Sequence, residues 1–198
     1  GAQKDIVKVF PHLYGFIGLK SDKSIVTWGN VNSKIDHATY GVNGTNNNNT
    51  TALTKLTDVL EVYIATSEQT YSAIKTDGSI VRWGYNTGTG AGMPADLLNR
   101  FNKQGSYTNA VPFVNIYPSG VGVYPIDASG GVYVISNYSF AYTYWDNVKT
   151  DISANVTRVV ANSAVVACLR SDNRLIVFGT HNNYYKKYGG DFDSTDTA

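Results

Sequence analysis

The sequence predicts an all-β fold, a propeller-like array of about four small antiparallel blades, on three observations: a fourfold internal repeat, a β-branched bias and hairpin dipeptides at a fixed place in the copies. Val (21) and Ile (12) far outnumber Leu (9), and Tyr reaches 15, a composition that suits pleated, half-buried surfaces. Helix-forming stretches are scarce. One, Ala95 to Phe101 after Pro94, predicts a short helix inside a loop.

From Asp5 the chain reads DIVKVFPHLYGFIGLKSDKSIVTWGN, and from Asp58 it reads DVLEVYIATSEQTYSAIKTDGSIVRWGYN, with Trp28-Gly29 returning at Trp83-Gly84. From Phe113, FVNIYPSGVGVYPIDASGGVYVIS keeps the same order with Ser129-Gly130 at the turn. From Thr157, TRVVANSAVVACLRSDNRLIVFGTHNN does so with Asp172-Asn173 there. Each copy is a short apolar strand, a turn, a second strand, a tight polar turn and a third strand. Dipeptides such as Asp77-Gly78 and Ser129-Gly130 supply the positive φ that tight hairpins need. The expected organisation is one domain, 1–198, with units of about 5–50, 51–110, 111–150 and 151–190 and an acidic tail over 191–198. The Asn-rich segment 43–51 between the first two units is a predicted loop.

The stretches TDGSIVRWGYNTGTG (76–90) and SDKSIVTWGN (21–30) resemble the repeat of the regulator of chromosome condensation family. The third unit has Ile135-Ser136 in place of Trp-Gly, and the fourth has Phe178 before Gly179. The resemblance implies four-stranded propeller blades, usually seven in a closed ring. Four units leave three solutions: a closed four-bladed ring, an incomplete ring completed by another subunit, or an open stack. Open solutions leave uncovered faces and edges, for which self-association is the expected remedy.

Several functions are excluded. Lys+Arg total 16 against Asp+Glu 15, a net charge of +1, so no basic field exists to hold a nucleic acid. No apolar run approaches the roughly 18–20 residues of a membrane helix, so no membrane insertion is expected. The start Gly1-Ala2-Gln3, with neither Met nor a basic-then-apolar leader, is expected to be a processed or excised one. Cys168 is the one cysteine, in an apolar strand, and reads as a buried thiol. The histidines, His12, His37 and His181, have no metal-ligand spacing. Gly84 to Gly92 lacks the Lys-Ser/Thr of a phosphate loop. Asp191, Asp193 and Asp196 lack the glycine and distal Glu of a calcium loop and read as a solvated end. No catalytic residue, cofactor or metal is expected.

Acceptor sequons for N-glycosylation stand at Asn43, Asn48, Asn49, Asn137 and Asn155, which together with the low charge favours an extracellular protein. Aromatic clusters supply the contact candidates. Tyr138, Phe140, Tyr142, Tyr144 and Trp145 crowd one segment, which reads either as an outer strand with cross-strand pairs or as a contact surface. Tyr184, Tyr185 and Tyr188 crowd another, read as surface contact. Interface candidates are therefore Tyr142, Tyr144, Trp145, Tyr184, Tyr185 and Tyr188. The expected function is that of a secreted, non-enzymatic structural subunit of an extracellular filament or surface assembly, acting through self-association. The alternatives are a discrete protein-binding or enzyme-inhibiting module, since the resemblance implies relatives that bind a GTPase and chromatin or inhibit a β-lactamase, and a carbohydrate-binding lectin.

Overall fold

A computed structural model of the chain describes residues 4–12, 15–29, 56–65, 70–84, 106–107, 111–120, 122–136, 139–162, 165–179 and 186–188. The Asn-rich segment 43–51, the helix expected over 95–101, the glycine-rich stretch beyond Gly84, His37, His181 and the acidic tail lie outside the described residues. Four small antiparallel sheets stand in a propeller-like, open ring. The first unit holds β1 (Ile6–His12), β2 (Gly15–Lys20) and β3 (Ile25–Gly29). The second holds β4 (Val59–Ala65), β5 (Thr70–Lys75), β6 (Ile80–Gly84) and β7 (Ser106–Tyr107). The third pairs β8 (Phe113–Pro118) with β9 (Val123–Asp127). The fourth holds β10 (Val156–Ala161), β11 (Val165–Arg170), β12 (Leu175–Gly179) and β13 (Lys186–Tyr188).

The repeat is visible in backbone detail. In every unit the register slips by one residue near the start of the first strand, between Ile6 and Lys8, Val59 and Glu61, Phe113 and Asn115, and Val156 and Arg158. The hairpin turns obey one chemistry as well. Asp22, Asp77 and Asp172 each accept a hydrogen bond from the backbone N–H two residues on, at 3.0, 2.9 and 3.2 Å. The residue between adopts positive φ, 62° at Lys23, 78° at Gly78 and 64° at Asn173, with Gly130 at 80° in the third unit.

The third unit moves its turn carboxylate two places back, to Asp127. This buried group accepts from the Ser129 hydroxyl and N–H (2.6 and 2.9 Å), the Gly131 N–H (2.9 Å) and the Tyr133 hydroxyl (2.8 Å). Burial pushes its carboxyl up, but these donors outweigh burial and hold it below the usual carboxylate range. The Ser24 donors bring Asp22 to about 2, and Arg174 does the same for Asp172. Because these folded values lie below an unfolded value of about 3.9, their stabilisation is whole above about pH 4 and is lost as pH falls through the folded values. Asp127→Asn should therefore flatten, without abolishing, the fall in urea midpoint between about pH 5 and about pH 2. An unchanged slope would deny Asp127 this role.

One segment corrects the sequence reading. Over the described part of the aromatic run at 138–145 there is no outer strand, because Ser139–Val148 forms a helix, α1. Ala141, Tyr142, Trp145 and Val148 fall at helical spacing and are buried. Trp145 donates from Nε1 to the Val132 carbonyl at 2.9 Å, and the Tyr142 hydroxyl accepts from the Ser136 N–H at 3.0 Å. The helix packs on β12, so Tyr142 and Trp145 fill the space between the third and fourth units. The third strand of this unit is reduced to two bridges, Val123 to Ile135 and Ile126 to Val132.

Successive units meet face to face, and the cores lie between them. One cluster joins Ile17, Leu19 and Ile25 of the first unit to Val59, Val62, Tyr71, Ala73, Val81 and Trp83 of the second. A larger one continues from Ile74 and Ile80 through both faces of the third unit to Val159, Val166, Cys168 and Phe178 of the fourth. Each blade thus has a leading face, toward the preceding unit, and a trailing face, toward the next. The seam carries a recurring bond in which the turn residue with positive φ accepts from the first strand residue of the next unit. Lys23 accepts from Val59 (2.9 Å), Gly78 from Phe113 (3.1 Å) and Gly130 from Val156 (3.1 Å).

Candidate functional site: the two uncovered faces of the blade array

In a repeat array the end units expose what inner units bury. Val9 on β1 pairs with Gly18 as Val62 pairs with Ala73, Ile116 with Pro125 and Val159 with Cys168, so these four residues are equivalent. Val9 is 47% exposed, against 4% for Val62, 1% for Ile116 and 4% for Val159. Phe16, equivalent to Tyr71, Val123 and Val166, is 43% exposed, whereas none of those three exceeds 1%. The rings behave alike. Phe16 stacks on Trp28 at 5.7 Å and 25°, and Tyr71 stacks on Trp83 at 5.6 Å and 24°; the second pair is sealed and the first is not.

The trailing face of the fourth unit is open in the same sense. Ala167, Leu169, Leu175 and Val177 are half-buried. At the positions of Leu169 and Leu175 the other units place Leu19 and Ile25, Ile74 and Ile80, and Ile126 and Val132, all buried. Full burial of a Val, Leu or Phe side chain is worth roughly 1.5–3 kcal/mol. Val9 and Phe16 each have under half of their surface still to cover. Sequence reasoning missed these residues because Val9 and Val62 look alike in a repeat, and only the position of a unit in the array tells them apart.

The sequence-derived contact candidates fare differently. Tyr142 and Trp145 are inside the core, so the structure removes these two from the surface, while Tyr144 is half-buried against the core. Their burial follows from the helix, which turns one side of the segment inward. Tyr184 and Tyr185 lie outside the described residues, and the backbone of Tyr188 pairs with Leu175 in β13. Of the sequons, Asn155 is exposed and sits at φ 63° between the third and fourth units; Asn43, Asn48, Asn49 and Asn137 lie outside the described residues.

His12 is buried with its ring edge-on to Tyr71, and burial lowers its pKa. Burial pushes the Cys168 thiol up to about 12, which makes it an inert core residue. Among the described residues no group of three or more His, Cys, Asp or Glu is placed to hold a metal ion, and no helix is long and apolar enough to cross a membrane.

No family model matches the chain, and no curated protein does. Solved structures do. Prp20p from Saccharomyces cerevisiae is similar at a TM-score of 0.52 and 15% identity, over 90% of this chain and 46% of that one. Yeast RCC1 (Prp20) bound to Kap60 gives 0.51 and 12%, over 90% and 45%. The ectodomain of the Physcomitrella patens receptor kinase CR4 gives 0.51 and 13%, over 88% and 39%. The chain thus spans less than half the length of these structures. The likeness shows a β-propeller fold and nothing finer.

Proposed function

We propose that the protein acts without catalysis, as a secreted structural subunit that self-associates through the uncovered faces of an open blade array built from repeats of the chromosome-condensation-regulator type. The observation that carries this reading is the exposure of Val9 and Phe16 where every equivalent side chain is sealed. Apolar faces of this kind mark protein contacts. The exposed sequon at Asn155 and the low charge support an extracellular setting. The test is sedimentation velocity over a dilution series. Mass should rise with concentration above the 21.5 kDa of the single chain. A constant monomer mass up to the highest soluble concentration would overturn the reading.

A second observation favours a discrete protein-binding module. Val7, Leu60 and Val114 occupy the same place on the first strand of three successive units and are 64%, 55% and 53% exposed. An aliphatic row repeated from blade to blade suits a separate protein partner. Prp20p has binding properties toward Gsp1p and histones, so such use has a parallel within the fold. A single partner-bound species of fixed mass, with no growth of the protein alone, would make this second reading primary.

A further inference from the structure

We infer that the trailing face of the fourth unit in one copy docks on the leading face of the first unit in a second copy, repeating the seam that joins units within the chain. The inference rests on the self-association reading and specifies its geometry. The three internal seams are the template. In the seam between the first two units, Ile17, Leu19 and Ile25 meet Val62, Tyr71 and Trp83. The same positions at the chain's two ends are Ala167, Leu169 and Leu175 on one side, and Val9, Phe16 and Trp28 on the other. Each is less buried than its internal counterparts. What covers a leading face among the described residues is always a trailing face, and one of each is left without such a cover there.

Backbone groups match in the same way. Lys23, Gly78 and Gly130 donate no side chain to the seam bond; their carbonyls accept the N–H of Val59, Phe113 and Val156. The fourth member of the acceptor series is the Asn173 carbonyl, and the first member of the donor series is the Ile6 N–H. Neither makes such a seam bond among the described residues. Lys23 shows that a side chain at this place is compatible with the bond, so Asn173 is no obstacle.

The same template exposes one mismatch. Lys8 and Glu61, equivalent residues of adjacent first strands, form an ion pair at 2.7 Å across the first seam. In the proposed contact the corresponding residues are Arg158 and the second copy's Lys8, two cations. The contact is therefore apolar in its attraction and opposed by charge. Rising salt should strengthen it, since screening weakens the repulsion more than the burial.

Three variants test the contact by sedimentation velocity and light scattering, with circular dichroism to verify folding. Val9→Asp and Leu175→Asp, one on each face, should each raise the dissociation constant by about 100-fold or more. Mixed in equal amounts they should form a one-to-one pair and nothing larger, because Val9→Asp keeps its trailing face and Leu175→Asp its leading face. Arg158→Glu sets opposite charges against each other at this exposed place, in the reverse order of the first seam's Lys8–Glu61 pair. It should tighten association about three- to tenfold at low salt, with the gain fading at high salt. A wild type that associates while the mixed variants stay monomeric, or while Val9→Asp associates normally, would overturn the head-to-tail contact alone. A wild type that never associates would overturn the self-association reading itself.

Discussion

Trp83→Ala is expected to lower stability by about 3–5 kcal/mol, as truncation of a fully buried large aromatic does. Trp28→Ala, at the same place in the repeat, is expected to cost less than half as much at dilutions where copies stand apart. Trp83 is 0% exposed, stacked on Tyr71 and sealed beneath the first unit's Ile17, Leu19 and Ile25. Trp28 keeps the equivalent stack on Phe16, but no unit covers it among the described residues. Removing Trp83 opens a cavity that β5 and β6 cannot close, because both strands are held by their neighbours. Removing Trp28 exposes surface that is already partly wet. Denaturant unfolding of the two variants measures the difference, and equal losses would show that the first unit's leading face is covered after all. The contrast also reaches function: in the proposed contact Trp28 lies within the docking face, so its loss should weaken association while Trp83→Ala acts on folding.

Much of this arrangement is legible in the sequence because turn chemistry is local. Asp77-Gly78 and Ser129-Gly130 demand positive φ, and Gly78 and Gly130 adopt it; even Asp172-Asn173, without a glycine, places Asn173 there. The alternating β-branched residues then fix the strands. The helix over Ser139–Val148 is less legible, because the aromatics at 138, 140, 142 and 144 alternate like a strand. The competing signal is present in Ala141, Trp145 and Val148, spaced four and three apart, and packing against β12 decides in its favour. The candidate site is the least legible part. Its residues are apolar for the same reason as their buried equivalents, and exposure depends on what stands against each unit, a property that no single repeat encodes.

Gly130→Ala is expected to cost about 2–5 kcal/mol, the sum of left-handed backbone strain and overpacking against an immobile neighbour. A Cβ at Gly130 would stand 2.6 Å from the Val156 carbonyl oxygen and 2.7 and 2.9 Å from the Val156 and Asn155 nitrogens. All three are backbone atoms of the fourth unit, so no side-chain rotation relieves them. The methyl group acts as a wedge in the seam, where Ser129 and Gly130 accept from Asn155 and Val156 at 2.9 and 3.1 Å. Asn173→Ala imposes a comparable φ of 64° on alanine at a turn that makes no seam bond to a following unit among the described residues. Only the strain, roughly 1–2 kcal/mol, applies there. Comparing the two by denaturant unfolding separates the cost of the backbone conformation from the cost of parting two blades. If Gly130→Ala were no worse than Asn173→Ala, the third and fourth units would not be locked through this turn. If the difference is as large as expected, close approach of backbone to backbone at Gly130 is what locks the third unit to the fourth, whereas the turn at Lys23, which holds its bond to Val59 with a side chain in place, is the template for Asn173.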